Sequence, residues 1–301
     1  MSVDKVPLLL DTDIGSDIDD ALCLAYLLRQ PRCELLGVTT VTGRARERAA
    51  LADAICRAAG RPEVPIHAGA EQGILLGVIQ PGCPQAAVLP RFAHRAPDEF
   101  PPCTAIEFLR QQIRARPGQI TLLTVGPLTN VGLLFSLDPE IPGMLKRLVM
   151  MCGVFTRRLA GVGPREWNAL CDPIATAAAY RAPVAEHVSF GLDVTCQCRM
   201  PGADCLARLR AAGRPLEVVA AAVEVFAAQH AEITFHDPLA GACVFEPDLC
   251  GYEDGLVEVE LKSDRVPGMT HFDSRAARRP HRVALSVKPR EFLQHYLSLI
   301  R

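Results

Sequence analysis

The chain has 301 residues, of which 49% are hydrophobic and 22% are charged, so it is long enough and apolar enough to bury a large core. Its 32 basic and 34 acidic residues give a formal net charge of −2, without the strong positive charge of proteins that bind nucleic acid. No stretch reaches the roughly 18 uninterrupted apolar residues of a membrane span, and the first ten residues lack the apolar segment of a signal peptide. We therefore expect a soluble cytoplasmic enzyme that acts on a small molecule and binds neither nucleic acid nor membrane.

Strand-like and helix-like segments alternate along most of the chain. Apolar runs predict buried strands at Val6 to Asp11, Leu35 to Thr40, Ile120 to Val125, Leu148 to Met151 and His187 to Leu192. Helical periodicity predicts helices at Asp20 to Arg29, Arg46 to Ala59, Thr104 to Ala115, Ile174 to Tyr180, Leu216 to Gln229, and one beginning near Asp237. This alternation is typical of an α/β fold whose mostly parallel central sheet has helices on both faces.

Two regions depart from the alternation. Gly69 to Pro102 is rich in Gly and Pro, which predicts a long loop over one edge of the sheet. Glu253 to Arg282 alternates charged and apolar residues, which predicts an appended antiparallel hairpin. Because the sequence contains no repeat and no convincing linker, we expect one domain over residues 1–301.

The most informative segment follows the first predicted strand, where five aspartates fall within ten residues: Asp11, Asp13, Asp17, Asp19 and Asp20. The carboxyl end of a strand is where open α/β sheets bind ligands. Carboxylates packed this densely repel one another, and a hard cation with oxygen ligands relieves that repulsion. The segment therefore predicts a metal site, although capping of the following helix could account for one or two of the aspartates.

Polar motifs also follow other predicted strands, and the geometry of a parallel sheet brings such ends together. They are Thr39 to Arg44, the turn Val125 to Asn130, the triplet Glu166-Trp167-Asn168 with Asp172 beyond it, and His236-Asp237-Pro238. The turn after Val125 predicts an unpaired carbonyl that suits a cation. Asp172 and Asp237 could instead cap helices, and Glu166 could be either a ligand for hydroxyl groups or a surface residue.

The remaining cysteines and histidines favour structural roles. Most of the twelve cysteines stand singly in apolar or helical context, which indicates reduced thiols. Cys196, Cys198 and Cys205 lack the paired spacing of a zinc site. Five histidines are interpreted as structural: His67, His94, His187, His271 and His281.

Taken together, the motifs resemble the inosine-uridine nucleoside hydrolase family from Val6 to about Phe245. They are Asp11-Thr12-Asp13-Ile14-Gly15, Asp19-Asp20-Ala21, Gly126 to Asn130, Met150 to Gly153, Glu166-Trp167-Asn168 and His236-Asp237-Pro238. The resemblance implies that a Ca²⁺ ion is held by Asp13, Asp20, the Val125 carbonyl and Asp237. It also implies that Asp13 is the general base, that His236 protonates the leaving base, and that the protein is a dimer or tetramer. The residues implied to contact the substrate are Asp19, Met151, Glu166 and Asn168.

The chemistry of such a reaction agrees with these residue types. Cleavage of an N-glycosidic bond develops positive charge on the sugar, which nearby carboxylates stabilise. A bound cation lowers the pKa of water, and a carboxylate then removes its proton.

Four features depart from the family pattern. Ser16 and Asp17 are two extra residues in the acidic loop, so Asp17 could replace or supplement a metal ligand. Arg44 stands where the family has an Asn that binds the sugar, and a further Asn expected near Ala160 is missing. We therefore hypothesise that Arg44 contacts an anionic or modified substrate; the alternative is that it points to solvent. Cys152 stands at a glycine position and could narrow the pocket.

Two other functions remain open from the sequence. A calcium-dependent nucleoside or sugar sensor with little turnover would explain the incomplete sugar contacts. A phosphatase of the haloacid dehalogenase type also begins with Asp-x-Asp after its first strand, but Gly15 stands where such enzymes have Thr or Val, and no convincing lysine motif follows.

Overall fold

A computed structural model describes residues 4–156 and 158–300. Within these residues the largest sheet has nine strands: β1 Val6–Thr12, β2 Cys33–Thr40, β3 Ile66–Ala68, β4 Thr121–Thr124, β5 Arg147–Met151, β6 His187–Phe190, β9 Cys250–Val259, β10 Thr270–Asp273 and β11 His281–Val287. Their order across the sheet is β10-β9-β11-β6-β5-β4-β1-β2-β3. All pairs from β3 to β11 are parallel, and β9 is antiparallel to both of its neighbours. The strands β7 Arg199–Pro201 and β8 Glu232–Thr234 form a separate antiparallel pair.

Helices cover both faces of the sheet. In the described ranges they are α1 Asp19–Arg29, α2 Ala45–Ala58, α3 Ala105–Ala115, α4 Thr129–Leu137, α5 Ile141–Met144, α6 Trp167–Cys171, α7 Pro173–Arg181, α8 Leu192–Thr195, α9 Gly202–Ala212, α10 Glu217–Ala227, α11 His236–Cys243 and α12 Pro289–Leu299. Successive side chains of β1 point to opposite faces. Leu8 and Leu10 pack with α1, α2, α10 and α11, and Leu9 packs with α3, α4 and α7. None of the described helices is long and apolar enough to cross a membrane.

The predicted fold class is confirmed. Each of the five predicted strands is present, with the last one ending at Phe190 instead of Leu192, because Gly191 is the N-cap of α8 and Leu192 is its first residue. Each predicted helix is also present within a few residues of its expected bounds. Several elements were not predicted: α4, which begins inside the segment interpreted as a turn, and also β3, β7, β8, α5, α6, α8, α9 and α12.

The two irregular regions have more structure than expected. Residues 69–102 cross the carboxyl ends of the strands: the Ala70 N–H donates to Asn130 Oδ1 at 2.9 Å, and the Ile74 N–H donates to Asp172 Oδ2 at 2.8 Å. This segment then forms a 3₁₀ helix, Pro84–Arg91, against α2 and α10. The predicted hairpin is present as β9 and β10, and β11 joins it to β6, so it extends the central sheet.

Candidate active site

A cavity of about 550 Å³ lies at the carboxyl ends of β1, β4 and β5, beside the start of α11. Every predicted site residue except Arg44 lines this cavity: Asp13, Asp17, Asp19, Asp20, Val125, Met151, Glu166, Asn168, His236 and Asp237. The convergence follows from the parallel pairing of the strands, because their carboxyl ends share one edge.

The acidic loop owes its shape to local contacts after β1. The Thr12 hydroxyl donates to Asp20 Oδ1 and accepts the Ile14 N–H at 3.1 Å, which links the end of the strand to the start of α1. Gly15 has φ +113°, and a Cβ there would lie 2.4 Å from Cys83 Sγ. The turn therefore requires glycine. Neither Asp19 nor Asp20 caps α1, since the residue before the helix is Ile18 and the helix has no side-chain cap.

Three buried carboxylates form the floor of the cavity. Asp19, Asp20 and Asp237 each offer one ligand oxygen, and these atoms all lie within 4.8 Å of one another. Burial raises the pKa of each carboxyl well above its usual range, and the charges of neighbouring carboxylates raise it further. An all-oxygen group of buried, mutually repelling carboxylates fits a hard divalent cation. The alternative that Asp237 caps α11 is wrong, because that helix has no side-chain cap.

Asp13 lies beside this group but outside it. The prediction joined Asp13 to Asp20 and Asp237, whereas the structure brings Asp19 to them as the third carboxylate. Asp13 is still near enough for its charge to raise the pKa of Asp20 and Asp237. Burial raises the pKa of Asp13 itself to about 6, against an opposing effect of Arg48. The side chain is therefore mostly ionised at pH 7 and close to the pH at which a base works best.

Asn168 links the ends of two strands. Its Nδ2 donates to the carbonyl oxygens of Val125 at 2.7 Å and Met151 at 3.0 Å. The expectation of an unpaired Val125 carbonyl is therefore wrong, because this oxygen accepts the Asn168 amide. A carbonyl oxygen has two lone pairs, so the second remains for a cation.

Glu166 is buried and caps α6. Its Oε1 accepts the Asn168 N–H at 2.6 Å, and its Oε2 accepts the N–H groups of Ala169 at 3.0 Å and Gly153 at 3.1 Å. Burial raises the pKa of Glu166 to about 7, and the three backbone bonds oppose that rise. The alternative of a surface residue is therefore wrong. Cys152 is buried next to Glu166 and is not among the residues that line the cavity.

The imidazole of His236 is held by a threonine. His236 Nδ1 lies 2.7 Å from Thr195 Oγ1, and burial lowers the pKa of the ring to about 4, with a further contribution from Arg199. The ring is therefore neutral at pH 7, and the tautomer in which Nδ1 accepts the Thr195 hydroxyl leaves the Nε2–H to donate to another group. By contrast, Asp172 caps α7, as the sequence allowed, through a bond from the Ala175 N–H at 3.0 Å.

Arg44 does not reach the cavity. Its side chain is 59% exposed, pairs with Glu47 at 2.6 Å and donates to the Pro81 carbonyl at 3.3 Å. This placement agrees with the alternative that Arg44 points to solvent, because the start of α2 directs the side chain along the surface.

The exposure of Arg44 leads to a prediction. We expect Arg44→Asn to change kcat/KM by no more than about twofold, because surface substitutions away from a site change free energies little. Steady-state kinetics with a neutral and a negatively charged nucleoside would measure this. A selective loss of activity on the charged substrate would show that Arg44 contacts it after all.

Sequence reasoning missed several residues that shape the site. Phe226 and His230, near the end of α10, stack with ring centroids 4.2 Å apart and line the cavity. Arg48 of α2 is fully buried beneath the acidic loop. His230 lies beyond both the predicted and the observed end of this helix, so helical periodicity could not have indicated it. No signal distinguished Arg48 from a solvated arginine.

The fold and the site together define an α/β enzyme with an acidic, metal-binding type of centre. The sequence model described as inosine-uridine preferring nucleoside hydrolase matches residues 8–294. The chain belongs to this family, and it is a hydrolase of the N-glycosidic bond of nucleosides. The match removes the phosphatase alternative.

Curated relatives and solved structures agree with this assignment. Uridine nucleosidase 1 of Arabidopsis thaliana is 29% identical over 272 residues, 85% of this chain and 78% of the relative. The pyrimidine-specific ribonucleoside hydrolase RihA of Shewanella oneidensis is 30% identical over 293 residues, 89% of this chain and 86% of the relative. Among solved structures, a plant nucleoside hydrolase has a TM-score of 0.85 at 23% identity, covering 98% of both chains. A purine-preferring ribonucleoside hydrolase of Gardnerella vaginalis has a TM-score of 0.82 at 23% identity with the same coverage, and both likenesses concern the fold.

Proposed function

We propose that the protein is a calcium-dependent ribonucleoside hydrolase that cleaves pyrimidine ribonucleosides, uridine in particular. The observation that carries the calcium part is the buried group of Asp19, Asp20 and Asp237 at the floor of the cavity. The pyrimidine part is supported by the uridine and pyrimidine specificities in the names of the relatives at 29% and 30% identity.

In this proposal two carboxylates of that group, Asp20 and Asp237, hold the ion together with the Val125 carbonyl and the adjacent Asp13, and the third, Asp19, faces the substrate. A bound calcium ion would orient the sugar hydroxyls and lower the pKa of its water ligand. Asp13 takes the proton from the attacking water. With a pKa of about 6, it is ionised at neutral pH and still basic enough to accept that proton.

The other carboxylates act on the sugar. Asp19 and Glu166 accept hydrogen bonds from sugar hydroxyls, and Asn168 and Met151 line the same wall of the cavity. Three backbone N–H groups fix the Glu166 carboxylate, so it loses little freedom when substrate binds. In their ionised form these carboxylates stabilise the positive charge that develops on the sugar as the bond breaks.

His236 assists the departure of the base. Because its imidazole is neutral at pH 7, it does so by donating a hydrogen bond and not as an imidazolium acid. Asp17, which belongs to the acidic loop and lines the cavity, is a further candidate for an oxygen ligand of the ion.

The assembly and location of the protein are further parts of the proposal. Family resemblance supports a homodimer or homotetramer, which light scattering would measure. The twelve free thiols support a reducing, cytoplasmic location.

The test is a panel of uridine, cytidine, inosine, 2′-deoxyuridine and pseudouridine, assayed for free base with calcium and with a chelator. We expect uridine to be cleaved with calcium, activity to disappear with the chelator and to return when calcium is restored. Pseudouridine is the matched control, because its base is joined to the same sugar through carbon. Turnover that is unaffected by the chelator would contradict the calcium role, and faster cleavage of inosine than of uridine would contradict the pyrimidine preference.

A further inference from the structure

Arg48 is the largest fully buried side chain among the described residues. It lies on the first turn of α2, four residues after the exposed Arg44. A buried guanidinium is costly unless its donors are satisfied and its charge is balanced. The hydrogen bonds and nearby charges that offset this cost therefore show what Arg48 does in the structure.

The guanidinium binds three separate segments of the chain. Nη1 donates to the carbonyl oxygen of Asp13, to that of Ile14 at 3.1 Å and to Ser16 Oγ at 2.9 Å. Nε donates to the Thr42 carbonyl after β2 at 2.8 Å, and Nη2 donates to the Gly82 carbonyl at 2.9 Å. Arg48 thus ties the acidic loop to the end of β2 and to the segment that crosses the strand ends.

The two extra residues of the acidic loop are part of this arrangement. Ser16 Oγ donates to the same Gly82 carbonyl at 3.2 Å. Gln85 Nε2 donates to the carbonyl oxygens of Ser16 at 3.2 Å and Asp17 at 2.7 Å. Arg48 and Gln85 therefore both hold the acidic loop through hydrogen bonds to its backbone, while the carboxylates of the loop face the cavity.

The charge of Arg48 is balanced at a distance. Among residues 4–156 and 158–300 it forms no ion pair within 4.0 Å, and all five of its acceptors are uncharged oxygens. Its charge nevertheless lowers the pKa of Asp13 and Asp20 against the effect of burial. The Arg48 guanidinium bonds neither carboxylate directly, whereas an ion pair would occupy oxygens of one of them.

We propose that Arg48 is a positioning residue of the active site, which fixes the backbone from Asp13 to Ser16 so that the Asp13 carboxylate points at the reacting water. This inference rests on the proposed role of Asp13. Arg48 itself does not line the cavity, so it acts only through the loop. The planar fork is essential, because a lysine ammonium is a single point of charge and cannot span three segments.

Arg48→Lys is the decisive variant, since it keeps the charge and removes the fork. We expect kcat for uridine to fall by about 10- to 100-fold, the usual effect of removing a residue that orients a metal ligand or base. At saturating calcium, KM should change by no more than about threefold, because Asp19, Glu166 and Asn168, which contact the sugar in this proposal, lie outside the backbone from Asp13 to Ser16. The calcium dissociation constant, measured by calorimetry, should rise by about tenfold.

Hydrogen exchange gives a readout that needs neither substrate nor calcium. In Arg48→Lys, a peptide covering residues 12–18 should take up deuterium faster than in the wild type, while peptides from the far end of α2 stay unchanged. Arg48→Met, which also removes the charge, should show the same changes to a greater extent where it folds.

Arg95→Met is the matched control. Arg95 pairs with the buried Asp53 of α2 at 2.9 Å, far from the acidic loop in sequence, and Arg57 still pairs with Asp53 in its absence. Arg95→Met should lower the melting temperature without changing kcat or the hydrogen exchange of residues 12–18. Wild-type kcat and exchange in Arg48→Lys, or equal losses in Arg95→Met, would overturn the positioning role. If wild type releases no base, the proposed function fails, and the exchange and calcium data still decide whether Arg48 holds the loop.

Discussion

Replacing Asp13 with Asn is expected to lower kcat by about 10²- to 10⁴-fold, the usual contribution of a general base. Asn has nearly the same shape but cannot take a proton from water. The Asp13 backbone should stay in place. Its carbonyl accepts a hydrogen bond from Arg48, and its nitrogen packs so closely on Gly126 that a Cβ on that glycine would lie only 2.7 Å from it. kcat at saturating uridine and a melting curve would measure the two effects.

Asp11→Asn is the matched control for this experiment. Asp11 lies two residues earlier, on β1, is also buried, and has a pKa raised to about 7 by burial. Its Oδ1 accepts bonds from Thr39 and Asn130, and it does not line the cavity. An Asn side chain can keep those bonds, so kcat should fall by less than about tenfold. Equal losses in the two variants would argue that Asp13 matters for structure and not as the base.

The convergence of the site was predictable because it follows from topology. Once β1, β4 and β5 are recognised as neighbouring parallel strands, Asp13, Val125 and Met151 must lie at their carboxyl ends along one edge. No long-range detail is needed for that step, only the alternation of strands and helices.

The assignment of individual atoms was not predictable in the same way. Arg44 and Arg48 are separated by one helical turn, and nothing in the local pattern says which is buried. Both arginines donate to the Pro81–Gly82 segment, which comes from a loop without periodicity, but only Arg48 also reaches the carbonyls of Asp13 and Thr42. Likewise, Asp19 joins the carboxylate group because of where α11 packs: the Asp237 N–H donates to Asp19 Oδ2 at 3.1 Å. Contacts between distant segments therefore determined what the sequence left open.

The calcium proposal has its sharpest consequence at Asp237. We expect Asp237→Asn to abolish turnover of uridine to the detection limit, because it removes a carboxylate ligand from the ion. In the wild type, calcium at about 100 times its dissociation constant should stabilise the fold by about 2.7 kcal/mol, and the variant should gain little of this.

Without calcium, Asp237→Asn should leave the fold as stable as the wild type or make it more stable. In the metal-free protein, the buried carboxylates of Asp19, Asp20 and Asp237 repel one another. The charges of Asp19 and Asp20 raise the pKa of Asp237, and the pKa values of Asp19 and Asp20 are raised as well. Removing one negative charge relieves that repulsion, so metal-free Asp237→Asn should melt at or above the temperature of the metal-free wild type. Thermal melts of both proteins, with calcium and with a chelator, separate the two effects. A variant that melts lower than wild type under both conditions would indicate that Asp237 serves the fold through its position in α11, and the shared ion would lose its main support.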